Sequence, residues 1–444
     1  MKYIEQIKSY LLAFLVLLSI VLTLMIWNYK PDYEFIEEAQ VDEIMIGNTK
    51  ELQDVLKPYR LLFRQDDQFY GTVSNDVIQD VYNKLSTWEA HEIDLIDSNL
   101  SDAEINEMLR LNNRLTLFFN EEVPLQVFNS ILPFNEKEIP DANFTRLILD
   151  WTDVSSNNQL QLLFLNTEKR ILFRSNIDLP NSIQFMEAIV DPIIEYRAYF
   201  EVERDSLLSL YVAQETMESI QYTYLTDETS PAIFKNILFG DPGIVRRSTD
   251  NTRTEKYNDG TSLMTVDTQN HILNYVYPPA ESIAPILPAQ LLFDSFDFIN
   301  DHGGFTGDFR FSSMNVDKHV AEYQLFVQGH PIYSSLTTAR IITTWGENRI
   351  FRYRRPYYSI DPSNDLKTFR TMRQLAPGEE VIEYLKNMED QPFDEIDEII
   401  VGYHLMQDAK KGLFLLEPSW FIISNNVWTR ISPEQLGGAN DGLE

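Results

Sequence analysis

The run from Leu11 to Trp27, LLAFLVLLSIVLTLMIW, holds seventeen residues without a charge near the start of a chain of 444 residues. A helix over this run is roughly 26 Å long at about 1.5 Å per residue, and its polar and aromatic flanks extend it to about 31 Å. That length matches the hydrocarbon core of a bilayer. The run is apolar on every face, so it predicts a membrane-spanning helix rather than the alternative, a buried core helix.

Charges on either side of the run predict its orientation. Lys2 and Lys8 precede it, whereas the stretch from Asp32 to Glu43 carries six acidic residues. By the positive-inside rule the N-terminus is cytoplasmic and the rest of the chain is extracellular. Residues 25–31 contain no small-residue cleavage site, so we expect an uncleaved, single-pass anchor in the cell membrane.

Composition limits the partners of the exported part. A formal net charge of −32 makes nucleic acid and anionic lipid poor partners. The chain has no cysteine, so its fold relies on hydrophobic cores rather than disulfides, which together with the uncleaved anchor indicates a Gram-positive cell surface. With 44% hydrophobic residues and more than four hundred residues after the anchor, we expect two to three folded domains.

Hydrophobic periodicity predicts an α+β fold of antiparallel sheets packed with helices. A hairpin is expected over residues 59–72 with its turn at Asp66 and Asp67, followed by a helix over 75–88 behind Ser74 as a plausible N-cap. Ser101 and Glu104 have the spacing of a capping box. Further strands and helices alternate along the chain, and two long closing strands are expected over 396–406 and 412–424.

Breaks in this pattern predict the domain organisation. We expect a cytoplasmic start and transmembrane anchor over residues 1–30 and an N-terminal α+β domain over 31–197. A middle α+β domain follows over 198–285, and a C-terminal α+β domain over 286–444.

Motifs of the common extracellular enzymes are absent from the sequence. There is no thiol nucleophile, no G-x-S-x-G turn and no Ser-x-x-Lys pair, and His91-Glu92 lacks the second histidine of a zinc protease. We therefore predict no catalytic residue, no cofactor and no metal site, and a protein that is not an enzyme. A carboxylate pair for glycoside cleavage stays open, because its separation depends on the tertiary structure.

One cluster of acidic residues is the strongest candidate for a metal site, as the alternative to the prediction that the chain has none. Asp294, Asp297, Asp301, His302 and Asp308 could hold a hard cation if the glycine-rich loop between them folded the oxygens inward. Their spacing fits no EF-hand, and local acidic clusters arise by chance in a chain with 68 carboxylates.

One basic cluster stands out from the acidic background. Arg349, Arg352, Arg354 and Arg355 are interleaved with aromatic residues such as Tyr353, and a period of two places Arg352 and Arg354 on one strand face. Arginine and tyrosine are enriched in protein interfaces. Arg349, Arg352, Tyr353 and Arg354 are therefore candidates for a protein interface, with simple neutralisation of neighbouring acids as the alternative.

The predicted membrane helix is a second candidate contact. Ser19 and Thr23 are four residues apart and would allow close approach of another helix. The residues expected to contact the membrane or a partner helix are Leu11, Phe14, Leu18, Ser19, Thr23 and Trp27.

Several segments resemble the YycH family. They are the N-terminal stretch KSYLLAFLVLLSIVLTLMIWNYKPDYEFIE, Pro58 to Arg60, Tyr323 to Tyr333 and Leu416 to Trp420. The resemblance implies an accessory protein of the cell-wall sensor histidine kinase YycG, also called WalK, in low-GC Gram-positive bacteria. It implies a three-domain exported region whose last two domains are similar to YycI, no catalytic residue, and a complex with the kinase and YycI through transmembrane and ectodomain contacts. Whether the chain also forms a homodimer is left open.

Two other functions remain as alternatives. The chain could be a tethered protein that binds or modifies cell-wall polymer, or a sensor whose ectodomain relays a ligand signal to the kinase. The second alternative requires a pocket, which sequence cannot show.

Overall fold

A computed structural model describes residues 12, 14–23, 47, 49–225, 227–251, 253–335, 337–360, 368–388, 392–408 and 411–436. Residues 12 and 14–23 are helical. Among the described residues, no helix has both the length and the apolar character that a membrane crossing requires. Leu11 and Trp27, the two ends of the predicted anchor, lie outside the described residues.

The first half of the molecule is built on a nine-stranded sheet in which every neighbouring pair is antiparallel. The order of its strands is β3-β7-β6-β5-β4-β1-β2-β8-β9. These are β1 (Arg60–Gln65), β2 (Gln68–Thr72), β3 (His91–Asp97), β4 (Arg114–Pro124), β5 (Asn143–Asp150), β6 (Gln159–Asn166), β7 (Ile171–Asp178), β8 (Arg197–Val202) and β9 (Leu210–Ala213).

Local sequence explains how several of these elements begin and end. Asp66 and Asp67 both have positive φ, which is the backbone that a two-residue hairpin turn needs, and they join β1 to β2 as predicted. Ser101 and Glu104 form the predicted capping box. Ser74 lies at the N-cap of the next predicted helix, but its side chain makes no capping hydrogen bond.

Helices fill the space on the faces of the sheets and in the connections between strands. They are α1 (Leu52–Val55), α2 (Asn75–Leu85), α3 (Asp102–Arg110), α4 (Leu125–Phe128), α5 (Val154–Asn157), α6 (Ser182–Phe185), α7 (Pro231–Leu238), α8 (Pro288–Asp301) and α9 (Gly378–Lys386). After α6 the chain continues as a π-helical turn, Met186–Val190, and then as a 3-10 helix, Asp191–Glu195.

The second half contains a fourteen-stranded sheet with the order β12-β13-β14-β15-β20-β19-β17-β18-β23-β24-β10-β22, in which β16 also pairs with β17 and β25 with β24. Its pairs are antiparallel except for the parallel pair β18 and β23. A separate two-stranded sheet pairs β11 with β21. The strands are β10 (Met217–Leu225), β11 (Asp227–Glu228), β12 (Arg246–Asn251), β13 (Thr254–Asn258), β14 (Leu263–Asp267), β15 (Ile272–Val276), β16 (Asp308–Asn315), β17 (Val320–Val327), β18 (His330–Tyr333), β19 (Arg340–Trp345), β20 (Ile350–Pro356), β21 (Tyr358–Ser359), β22 (Thr368–Leu375), β23 (Glu398–Asp408), β24 (Leu413–Ser424) and β25 (Val427–Ile431).

Buried polar side chains join the two large sheets. Arg60 of β1 is 3% exposed, and its Nη1 donates to the Tyr211 carbonyl at 2.9 Å while its Nη2 donates to Glu398 of β23 at 3.1 Å. Arg310 of β16 is fully buried and donates from Nη1 to the Pro58 carbonyl at 3.1 Å. We call the contact region around Arg60 and Arg310 the junction.

The α+β class and the antiparallel sheets packed with helices are confirmed. The three domain boundaries stay predictions. The strands at the start of the predicted middle domain are β8 and β9, and they belong to the first sheet rather than the second.

Candidate interaction surface and family

The arginine cluster lies on and beside β20, in the interior of the second sheet between β15 and β19. Arg352 and Arg354 are exposed, whereas Tyr353 between them is 0% exposed. Alternation along a strand therefore places the two arginines on the solvent face, as predicted, and turns Tyr353 into the core. Tyr353 cannot contribute to a surface here, and its place in the predicted interface is a correction.

Cross-strand neighbours show what surrounds the two arginines. Arg352 lies opposite Val276 and Thr344, and Arg354 lies opposite Asn274 and Ile342. The same row continues across β14 and β13 to Lys256, because directly paired residues share a face. We call this solvent face around Arg352 and Arg354 the arginine face.

Direct ion pairing does not explain the arginines of this face. In the described part of the chain, Arg354 has neither a hydrogen bond nor an ion pair. The Arg352 guanidinium lies 4.6 Å from the Phe351 ring centroid, and that of Arg349 lies 4.0 Å from the Tyr277 ring centroid. The charges of Arg352 and Arg354 therefore face solvent, and no carboxylate of the described chain pairs with either of them.

Arg355, the fourth arginine, has a different environment. It is fully buried, and its Nη1 donates to the Gly304 carbonyl at 3.0 Å and to the Tyr353 hydroxyl at 2.9 Å. Its Nη2 donates to the Thr306 hydroxyl at 3.1 Å. The glycine-rich turn before β16 is thus held against β20, which is a structural role.

The predicted membrane helix is described only over part of its length. Phe14 and Leu18 are 60% and 42% exposed, and the Thr23 hydroxyl donates to the Ser19 carbonyl at 2.8 Å, within the same helix. The role of these residues in contacting a membrane or a partner helix stays a prediction.

The acidic group considered for a cation does not converge. Asp308 pairs with Arg310 at 2.9 Å, and His302 Nδ1 lies 2.9 Å from the Phe298 carbonyl oxygen of its own helix. Burial raises the pKa of Asp297, and the nearby carboxylates of Asp301 and Asp294 raise it further. Across the described residues, no group of three or more His, Cys, Asp or Glu side chains is arranged to hold a metal ion.

A cavity of about 690 Å³ opens at the junction, between the two large sheets. Arg60 and His330 line it together with Tyr199 and Trp420. Burial lowers the pKa of His330 to about 4, with Arg197 and Arg310 lowering it further and a hydrogen bond to the Val401 carbonyl opposing the shift. This volume lies within the range of small-molecule sites, which a ligand sensor would need.

Two family models together match nearly the whole chain. The N-terminal domain of the YycH protein matches residues 5–191, and the C-terminal domain of the YycH protein matches residues 208–436. The chain belongs to the YycH family. The resemblance found in the sequence is thereby confirmed.

A sequence comparison and a structure comparison, both with YycH from Bacillus subtilis, extend this result. The YycH protein of Bacillus subtilis (strain 168), named "Two-component system WalR/WalK regulatory protein YycH", is 22% identical over an alignment of 458 residues that covers 99% of this chain and 99% of that protein. The crystal structure of YycH from Bacillus subtilis has a TM-score of 0.75 at 18% sequence identity and covers 87% of this chain and 99% of its own. At that identity the structural match shows that the YycH fold is shared.

Three of the four segments that carried the YycH resemblance lie at structural contacts rather than on the arginine face, and the N-terminal stretch lies mostly outside the described residues. Pro58 to Arg60 enters the junction, and Leu416 to Trp420 lies within β24. The segment from Tyr323 to Tyr333 covers most of β17, the turn after it and β18. The bonds of Arg60 and Arg310 could not be found from sequence, since their partners are distant along the chain.

Proposed function

We propose that this chain is a membrane-anchored extracellular regulator of a WalK-like sensor histidine kinase that controls cell-wall metabolism. The observation that carries the proposal is the match over 99% of both chains to a protein named as a regulator of the WalR/WalK two-component system. That name describes regulation of a signalling system rather than catalysis, and we propose no enzymatic activity. A YycI-like protein is the second member of the proposed complex.

The charge-free run from Leu11 to Trp27 supports the anchoring part of the proposal. Its length and its flanking charges favour a single crossing with the N-terminus in the cytoplasm. This topology would place the two large sheets outside the cell, beside the extracellular part of a kinase. The exposed helix residues Phe14 and Leu18 would then be available to a second membrane helix.

The arginine face supports an ectodomain contact. Arg352 and Arg354 are exposed cations in a chain of net charge −32, and neither has a carboxylate partner in the described structure. A partner surface that carries acidic side chains is complementary to this face. Arginine is also enriched among the residues that dominate binding energy in protein interfaces.

Regulation follows if the two contacts fit one kinase state better than the other. A binding partner shifts a conformational equilibrium only by its difference in affinity for the two states. A coupling free energy of about 1–3 kcal/mol would change kinase activity roughly 5-fold to 150-fold.

The proposal is tested by reconstituting the full-length chain with a WalK-like kinase and a YycI-like protein in lipid vesicles and measuring kinase autophosphorylation. Arg352→Glu/Arg354→Glu is compared with Lys318→Glu/Lys386→Glu, which changes the net charge equally at exposed lysines elsewhere. We expect the arginine variant to lose most of the effect on autophosphorylation and the lysine variant to keep it. If the two variants change autophosphorylation to the same extent, the arginine face is not a specific contact and has no place in the proposal.

Replacing residues 11–27 by an unrelated apolar span tests the membrane contact separately. We expect the anchored chain to lose part of its control of the kinase. If the exchange leaves control intact, and the full-length chain instead hydrolyses or binds purified cell-wall polymer, the alternative of a tethered wall protein replaces this proposal.

A further inference from the structure

A second cavity, of about 390 Å³, opens beside the arginine face. It lies between the connection from β18 to β19 and the turn that joins β24 to β25. Its lining includes Arg340, Arg354, Ser335, Asn426 and Trp428, and no Asp or Glu of the described chain lines it. This composition is unusual in a chain with 68 acidic and 36 basic residues.

The strand register brings the two arginines of this cavity together. Arg354 of β20 lies directly opposite Ile342 of β19, and Arg340 is two residues before Ile342 on the same strand. Arg340 and Arg354 are therefore diagonal neighbours on one face, with backbones about 7–8 Å apart. Two long side chains at that separation can direct their guanidinium groups to one point.

One of the two guanidinium groups is held in place, and the other has no partner among the residues that the structure describes. Arg340 Nε donates to Gln324 at 2.8 Å and Nη1 donates to Glu322 at 3.0 Å, which leaves its Nη2 without a hydrogen bond in the described structure. Arg354 is unpaired among the described residues, and so is the indole N–H of Trp428. The residues that line the cavity thus include several donors that no described residue uses, and the Arg340 guanidinium is held in place by Gln324 and Glu322.

Arg340 shares its charge with Glu322, whereas the neighbouring Arg354 guanidinium has no carboxylate partner among the described residues, so an anion bound between them would supply the counter-charge that Arg354 lacks. One planar fork satisfies the two oxygens of a carboxylate, but donors that arrive from two guanidinium groups and an indole suit the tetrahedral oxygens of a phosphate. The cavity is also larger than a bare phosphate, so it has room for the group to which the phosphate is attached.

We propose that this cavity binds a phosphate-bearing ligand, with Arg340 and Arg354 as the two contacts to the phosphate group. A lipid headgroup, a phosphodiester polymer and a soluble phosphate ester share this chemistry. The site does not depend on the proposed regulation of a kinase. Its lining does not include Arg352, which lies on the same face two residues away.

The test uses the full-length chain in maltoside micelles, in a phosphate-free buffer of low ionic strength so that screening is weak. Glycerol 3-phosphate, short-chain polyphosphate and phosphatidylglycerol added to the micelles are titrated separately, with citrate as a phosphate-free polyanion. We expect saturable binding in at least one phosphate arm, and the arm that binds identifies the source of the phosphate. The proposal is overturned if binding saturates with citrate alone. It is also overturned if no probe shows saturable binding.

Variants then locate the site. Arg354→Gln and Arg340→Gln should each raise the Kd at least about tenfold, because each removes charge-assisted hydrogen bonds. Arg354→Lys should give an intermediate Kd, since it keeps the charge but loses the planar fork. Arg352→Gln is the matched control and should leave the Kd within about twofold.

An equal rise of the Kd in all three Arg→Gln variants would show diffuse attraction to a basic surface. It would overturn the proposal that the cavity is the binding site. Thermal unfolding of each variant without ligand shows whether it folds. Arg354 is exposed and has no partner in the described structure, so Arg354→Gln should unfold like the unsubstituted protein and keeps the test valid even if Arg340→Gln is unstable.

Discussion

Arginines at the junction and arginines on the arginine face have opposite environments. Arg60 and Arg310 are 3% and 0% exposed, and each bonds to groups far away in the sequence. Arg352 and Arg354 are exposed and have no carboxylate partner in the described structure. Arginine thus holds the sheets together in one region and exposes its charge to solvent in the other. Substitution should therefore lower the stability of the fold at the junction and leave it nearly unchanged on the arginine face.

Removing the junction arginine should produce the largest loss of stability. Arg60→Met would leave Glu398 without its guanidinium and the Tyr211 carbonyl without its donor, both in a buried region. Breaking a buried ion pair by removing one partner costs about 3–5 kcal/mol. We expect a fall of this size in the free energy of unfolding, measured by urea denaturation.

A double-mutant cycle measures the interaction between Arg60 and Glu398 separately from the effect of replacing each side chain. Glu398→Met alone should also be strongly destabilising, because it leaves Arg60 charged and buried. The double variant Arg60→Met/Glu398→Met should lose less than the sum of the single variants. Simple additivity would contradict the assignment of Arg60 and Glu398 as a coupled pair.

Arg354 and Arg355 are adjacent on β20, so they compare an exposed with a buried arginine most directly. Arg355→Met removes the donors to Gly304, Tyr353 and Thr306, and buried acceptors left without a partner cost about 1–3 kcal/mol each. We expect Arg355→Met to lose about 2–4 kcal/mol after partial relaxation, and Arg354→Met to stay within about 0.5 kcal/mol. Similar losses for both, in thermal or urea unfolding, would erase the distinction between buried and exposed arginines.

The junction should also respond to pH through His330. Its folded pKa is about 4, against about 6.5 in the unfolded chain, so the unfolded state takes up the proton first as the pH falls. The contribution of His330 is complete above pH 6.5 and decreases towards pH 4. We expect a loss on the order of 1–3 kcal/mol across this window, measured by urea unfolding at a series of pH values.

His330→Gln isolates this contribution from the many carboxylates that titrate nearby. The Gln amide can donate to the Val401 carbonyl, which accepts from His330 in the native chain, but it does not titrate. The stability of the variant should depend less steeply on pH between 6.5 and 4 than that of the unsubstituted chain. Identical slopes would show that His330 does not set the pH response of the junction.

Much of the local fold follows from sequence because its causes are local. The turn at Asp66 and Asp67 and the capping box at Ser101 are specified by residues within a few positions of each other. The sequence does not indicate β3, because its short alternation from Glu92 to Leu95 breaks at Ile96 and none of its residues is buried in a core. The contact from Arg60 to Glu398 joins residues 338 positions apart, and nothing local indicates it.

Part of the candidate surface also follows from sequence, because that part depends on a local pattern. A period of two was enough to place Arg352 and Arg354 on one face, and applied strictly it also turns Tyr353 to the other side. The cavity beside Arg354 could not be predicted, since Arg340 and Trp428 come from distant strands that meet only in the folded sheet. Sequence therefore indicates which strand face is exposed, and the strand register decides what that face can bind.

The smallest change in stability is expected for the double charge reversal Arg352→Glu/Arg354→Glu. Both side chains are exposed, and exposed substitutions away from special features usually change stability by less than about 0.5 kcal/mol. Urea unfolding and far-ultraviolet circular dichroism should therefore match those of the unsubstituted chain. A loss of more than about 1 kcal/mol would mean that the arginine face supports the fold, and a failure of this variant to regulate a kinase would then reflect instability rather than a lost contact.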